Sequence, residues 1–164
     1  MVTRRGHRGW LVSVLAAALP LMAASLAPAQ SSIGFVGGGS IDPGQGYGGV
    51  FLQTPELGGR FRLRPGIDGG IGNGLRLAAI NIDLMALLPL GGSGWSLVQG
   101  GGPTITISRL SDGLPGDRSK QVHAGGSYLL GFKHDNGFFT EFRIGGGGYT
   151  PNLKIGAGWA LTLP

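Results

Sequence analysis

The sequence has no cysteine. That excludes disulfide staples and thiolate chemistry. Charge is also scarce: Asp, Glu, Lys and Arg together make up 13% of the 164 residues, and only eight are acids. No run of Lys and Arg follows the first few residues, so the chain carries no electrostatic footprint for nucleic acid. After residue 29 no segment is long and apolar enough for a transmembrane helix, and none shows a 3.6-residue apolar period. What the chain has in quantity is glycine, 35 residues, with ten prolines beside it.

The N-terminus sets the compartment. Arg4, Arg5 and Arg8 precede an apolar stretch from Trp10 to Leu26 that Pro20 interrupts, and Ala27-Pro28-Ala29 follows. A positive region, a short apolar region and an A-x-A site predict a secretory signal over 1–29, with the mature chain starting at Gln30. The competing reading, a single membrane anchor, meets a segment short for a bilayer and ending in small residues. Thr3-Arg4-Arg5 has a twin-arginine look but lacks the apolar residues that should follow the pair, which favours the general secretory route. Removing 1–29 takes three of thirteen basic side chains and no acid, leaving a formal charge of +2. Residues 30–164 are long enough for one domain. Without disulfides, its stability must come from packing or from a membrane.

The remaining chain reads as short alternating runs separated by Gly, Pro, Asn, Asp and Ser, the mark of an all-β fold. Eight strands are predicted over 32–40, 46–54, 59–71, 74–88, 94–109, 119–133, 137–147 and 152–163. Short connections make successive strands antiparallel neighbours. The third is the most polarised: Phe61, Leu63, Ile67 and Ile71 take one face, and Arg60, Arg62, Arg64 and Asp68 the other. Further on, Ile80, Ile82, Leu84 and Leu88 oppose Asn81 and Asp83. Trp95, Leu97, Ile105 and Ile107 oppose Ser96, Thr104, Thr106 and Ser108. Val122, Tyr128, Leu130 and Phe132 oppose Gln121, His123, Ser127 and Lys133. Phe138, Phe142 and Ile144 oppose Glu141 and Arg143, and Leu153, Ile155, Trp159, Leu161 and Leu163 oppose Lys154, Gly156, Gly158 and Thr162.

Two barrels fit this alternation. A soluble lipocalin-like barrel would bind a small apolar ligand in an apolar lumen and turn its charges outward. A transmembrane barrel turns an apolar band outward and polar groups inward. Sparse charge, short loops and long uncharged strand faces favour the second, an eight-stranded antiparallel up-and-down transmembrane β-barrel. A closed sheet pairs every backbone group, as lipid requires. Eight strands fill their own interior, leaving no open pore. Buried charges must be paired. The expected lumen network is therefore Arg60, Arg62, Arg64, Arg143 and Lys154 against Asp68, Asp83 and Glu141, with Asn81, Gln121 and His123 beside it. Glycines such as Gly100-Gly101-Gly102 let a small barrel curve and make room for inward arginines. Pro65 and Pro103 cannot donate to a ladder. Each adjoins a glycine, so a β-bulge is expected there.

The signal, the eight alternating segments and stretches such as Arg62-Leu63-Arg64-Pro65-Gly66-Ile67-Asp68-Gly69-Gly70 and Trp95-Ser96-Leu97-Val98-Gln99-Gly100-Gly101-Gly102-Pro103 resemble the small eight-stranded outer-membrane barrels of diderm bacteria, the OmpA/OmpX-type transmembrane domain. The resemblance runs over nearly all of 31–163 and points to the uncharacterised porin-like group. It implies an outer-membrane location, lipid as the surroundings, the barrel-insertion machinery as a partner during assembly, and a monomer with no cofactor and a structural or surface-interaction role. Such barrels usually end on an aromatic residue. Here Trp159 lies five residues before Pro164, a departure from that pattern that bears on assembly and on where strand eight ends.

Some barrels of this size modify lipid A. That chemistry needs a His and a Ser close together on the lipid-facing side. His123 and Ser127 are four apart on one strand, roughly 13 Å, and both are expected inward. The chain is therefore read as no enzyme. His134 falls in a turn, Asp112, Asp117 and Asp135 lack calcium-loop spacing, and Gly46-Tyr47-Gly48-Gly49 lacks the Lys and helix of a phosphate cradle. An even strand count places both chain ends on the periplasmic side, so the longest connection, Leu110 to Arg118, falls outside the cell and is the expected place for any surface contact.

Overall fold

A computed structural model describes residues 31–164 apart from 59, 111–119 and 148–149. The predicted signal and most of the Leu110–Arg118 connection lie outside the described residues. The eight strands are β1 Ser32–Ile41, β2 Gln45–Gln53, β3 Phe61–Gly72, β4 Leu75–Pro89, β5 Trp95–Leu110, β6 Lys120–His134, β7 Phe138–Gly146 and β8 Leu153–Thr162. Each pairs antiparallel with its sequence neighbours, and β8 returns to β1, closing the barrel. Every strand expected from the alternation is present, with ends differing by at most two residues.

The β3–β4 turn shows why the ends move. Asn73 and Gly74 both take positive φ, 46° and 67°, and Gly72 pairs with Leu75. That is the two-residue Asn-Gly hairpin whose twist suits antiparallel strands. The sequence reading set this turn one residue early, at Gly72-Asn73. We call the end of the barrel where β1 begins and β8 finishes the near end, and the end holding the Asn73 turn the far end.

The expected bulges at the two prolines are absent. A bulge adds a residue to one strand and shifts the register. The β3–β4 register runs unbroken through Pro65↔Ile82, and the β5–β6 register runs unbroken through Pro103↔Gly126. Each proline instead leaves a local gap on its other side. The β2–β3 ladder stops at Phe51↔Gly66, and the β4–β5 ladder skips from Asn81↔Thr104 to Leu84↔Gly101. Beyond Pro65 the seam is closed by Thr54: its N–H donates to the Leu63 carbonyl at 2.9 Å, and its hydroxyl accepts from the Leu63 N–H at 2.9 Å. A side chain thus supplies the acceptor that restores pairing after the gap.

The wall is inverted relative to a soluble barrel. Ile67, Ile71, Leu84, Val122, Ile144 and Leu161 are among the large apolar side chains left exposed. Arg64, Asp83, Glu141, Arg143 and Lys154 are buried. Period-two alternation puts these two sets on opposite faces of the same strands. The three acids borne by described strand residues, Asp68, Asp83 and Glu141, all take the inward positions.

Candidate functional site: the barrel lumen

Three ion pairs cross the lumen between strands that are not neighbours. Arg64 of β3 donates to Glu141 Oε2 of β7 at 2.6 Å. Arg143 of β7 grips both oxygens of Asp83 on β4, at 3.0 and 2.7 Å. Lys154 of β8 donates to Asp68 Oδ1 on β3 at 2.5 Å. Buried charges of this kind are tolerated when their remaining donors and acceptors are also met. Asn81 Nδ2 donates to the second Asp68 oxygen at 2.7 Å, and Thr104 Oγ1 donates to Asn81 Oδ1 at 2.8 Å. Arg143 Nη1 also donates to Ser127 Oγ at 2.7 Å.

Six of the eight expected network residues therefore meet inside the barrel, and two do not. Arg62 is on the inward face but near the end of its strand, where it pairs with Glu56 of the β2–β3 connection at 3.2 Å. Arg60 lies before β3, exposed in the turn, so strand alternation does not apply to it. Of the expected satellites, Asn81 joins the pairs, whereas Gln121 and His123 bond each other at 3.2 Å nearer the far end. Ser127 is committed to Arg143, and His123 to Gln121.

An apolar layer lies on the near-end side of the ion pairs, which the sequence reading did not foresee. Phe51, Phe139 and Ala160 form one buried cluster, and Met85, Val98 and Leu129 form another. All occupy the inward positions of their strands, on the same parity as the ion-pair residues. Inward apolar groups pack against one another there as in any core. The two layers meet at Arg64. Its guanidinium carbon lies 3.7 Å from the Phe51 ring centre and 5.7 Å from that of Phe139 while its Nη2 donates to Glu141. Phe51 and Phe139 pack edge to face at 5.5 Å. Gly34 leaves open the space that the Phe51 ring fills. Lys154 similarly sits 5.1 Å from the Tyr47 ring centre. Cation–aromatic contacts in a desolvated site add to ion pairing. The inward parity of Tyr47, Phe51 and Phe139 was the available signal, masked by the glycines around them.

Two small cavities beside the ion pairs each have ≈ 20 Å³, about one water in size. Arg64 and Glu141 line both.

No protein-family model matches the chain, and no curated protein does. Among solved structures it is similar to the N-terminal β-barrel domain of OprF from Pseudomonas aeruginosa, with a TM-score of 0.61 and 13% identity over 82% of this chain and 97% of that domain. At that identity the likeness is one of architecture: the chain has the closed, eight-stranded antiparallel barrel fold of the OmpA type.

Proposed function

We propose that this chain is a small outer-membrane β-barrel protein whose wall and loops carry its role, with a lumen closed by ion pairs and packed side chains. The observation that carries the reading is the inverted wall. Large apolar residues on every strand face outward, and all the acids borne by described strand residues face inward. A water-soluble barrel holding an apolar ligand needs the opposite arrangement, and about one water's worth of space per cavity leaves no room for such a ligand.

The aromatic residues support the same reading. Outside the near end, Trp95 packs edge to face on His134 at 4.9 Å and on Phe138 at 6.4 Å, and Phe138 packs on Trp159 at 5.9 Å. Aromatic girdles mark the level where a barrel leaves the hydrocarbon. In this reading the near end is periplasmic, the far end is external, the chain is a monomer in lipid and the ion pairs brace the barrel rather than gate it. Contacts with other molecules fall to the far-end connections.

Fractionation tests this. The folded protein should sediment with outer membranes, resist carbonate extraction and migrate faster on gels unheated than heated. Recovery as a detergent-free periplasmic monomer overturns the proposal.

A further inference from the structure

Of the cations on described strand positions, Arg62, Arg64, Lys133, Arg143 and Lys154 take inward positions. Arg76 and Arg109 do not: both are exposed, on the outward parity shared with Ile80 and Ile105. They are also direct register partners, Arg76↔Arg109. Two guanidinium-bearing residues therefore stand side by side across β4 and β5. The next outward row toward the near end is Ala78↔Ile107↔Val122, which belongs to the apolar belt.

Like charges directly opposite each other on one face of a sheet are destabilising. No acid among the described strand residues shares that face, because Asp68, Asp83 and Glu141 all take inward positions. The compensating anion must come from outside the sheet. The row stands at the edge of the apolar belt, where lipid headgroups lie, and guanidinium groups recognise phosphate oxygens in paired hydrogen bonds.

From this juxtaposition we infer that the Arg76–Arg109 row is a docking site for the phosphate of an anionic lipid headgroup in the leaflet at the far end of the barrel. The inference rests on the membrane reading above. The lipid's acyl chains lie along the Ile105, Ile107 and Val122 wall, and its phosphate bridges the two guanidinium groups, cancelling their repulsion. The site anchors the β5–β6 hairpin, which rises beyond β7: β6–β7 pairing begins only at Gly126↔Gly146.

The test uses the full mature chain refolded into phosphatidylcholine vesicles containing one-tenth phosphatidic acid, whose headgroup is a phosphomonoester. Lipid retained after extraction into mild detergent is read by native mass spectrometry. Wild type should retain phosphatidic acid over phosphatidylcholine. The R76Q/R109Q variant should retain about twenty-five-fold less, at about fivefold per arginine. R60Q, which alters an exposed arginine at the other end, should behave as wild type. Equal retention by R76Q/R109Q and wild type overturns the site, as does equal loss in R60Q. Complete displacement by millimolar inorganic phosphate also overturns it, since that marks a simple anion site rather than lipid docking. If wild type does not insert into vesicles at all, the membrane reading falls and the site falls with it. Insertion without headgroup preference removes the site alone.

Discussion

The Arg143 guanidinium donates to both carboxylate oxygens of Asp83, sixty residues away in sequence and on the far side of the lumen. Neither side chain is more than 7% exposed. A two-point clamp between β7 and β4 fixes the distance between two walls that share no ladder. Removing one partner of such a pair leaves a buried charge uncompensated, which typically costs ~3–5 kcal/mol. Asp83→Ala should lower unfolding stability by that amount in a urea titration of the refolded barrel, followed by tryptophan fluorescence. Replacing both members with apolar residues of similar size, Asp83→Leu with Arg143→Met, should recover most of the loss. An unchanged midpoint for Asp83→Ala would mean that the pair does not brace the fold.

The outward face makes the converse prediction. Ile82 and Leu84 are exposed on the wall of β4 between Asn81, Asp83 and Met85, which point inward. In lipid an arginine near the bilayer midplane costs ~2–4 kcal/mol. Ile82→Arg should therefore destabilise the barrel in vesicles. In a soluble barrel the same change would be nearly silent, so the vesicle titration separates the two.

The seam beside Pro65 depends on one hydroxyl. Thr54 Oγ1 accepts the Leu63 N–H, and the β2–β3 ladder ends just above it. Leaving that N–H unsatisfied typically costs ~1–3 kcal/mol. Thr54→Ala should show this loss and speed amide exchange at Leu63, read by hydrogen–deuterium exchange mass spectrometry. Thr54→Ser should restore both. Unaltered exchange at Leu63 in the alanine variant would assign the closure to the remaining backbone bond.

Much of this was legible from alternation. Period two, with turn residues between runs, placed all eight strands and sorted Arg64, Asp68, Asp83, Glu141, Arg143 and Lys154 to the inside, because strand geometry ties sequence parity to a face. Parity says nothing about depth along the barrel axis. Arg62 shares the face of Arg64, yet lies close enough to the near end to find Glu56 instead. Arg60 shows where parity stops, since a residue in a turn has no face to inherit. Partner choice across the lumen was also hidden: Arg64 and Asp83 are register partners on β3 and β4, yet Arg64 reaches across to Glu141 of β7 while Asp83 takes Arg143, because which side chains face each other across the lumen is a property of the closed sheet. The apolar layer was missed although parity already puts Phe51, Val98, Leu129 and Phe139 inward, because single large apolar residues among glycines read as wall residues.

The glycines make the last prediction, which concerns shape rather than charge. Gly158 of β8 pairs with Val36 of β1, across the seam that closes the barrel. A Cβ at Gly158 would overlap the Phe35 carbonyl oxygen, and the Phe139 ring lies 2.5 Å away on the inward side. Both neighbours are held, the carbonyl by the backbone and the ring by its packing on Phe51. Overpacking of this kind typically costs ~1–3 kcal/mol. Gly158→Ala should therefore lower the unfolding midpoint and slow closure of the barrel, measured as the rate at which the fast-migrating gel form appears during refolding. Gly46, on the outward side of β2, would place its Cβ in open space. Gly46→Ala should leave both quantities unchanged. If the two variants behaved alike, the inward glycines would not be setting the close approach of strands that lets this barrel shut around its aromatic layer.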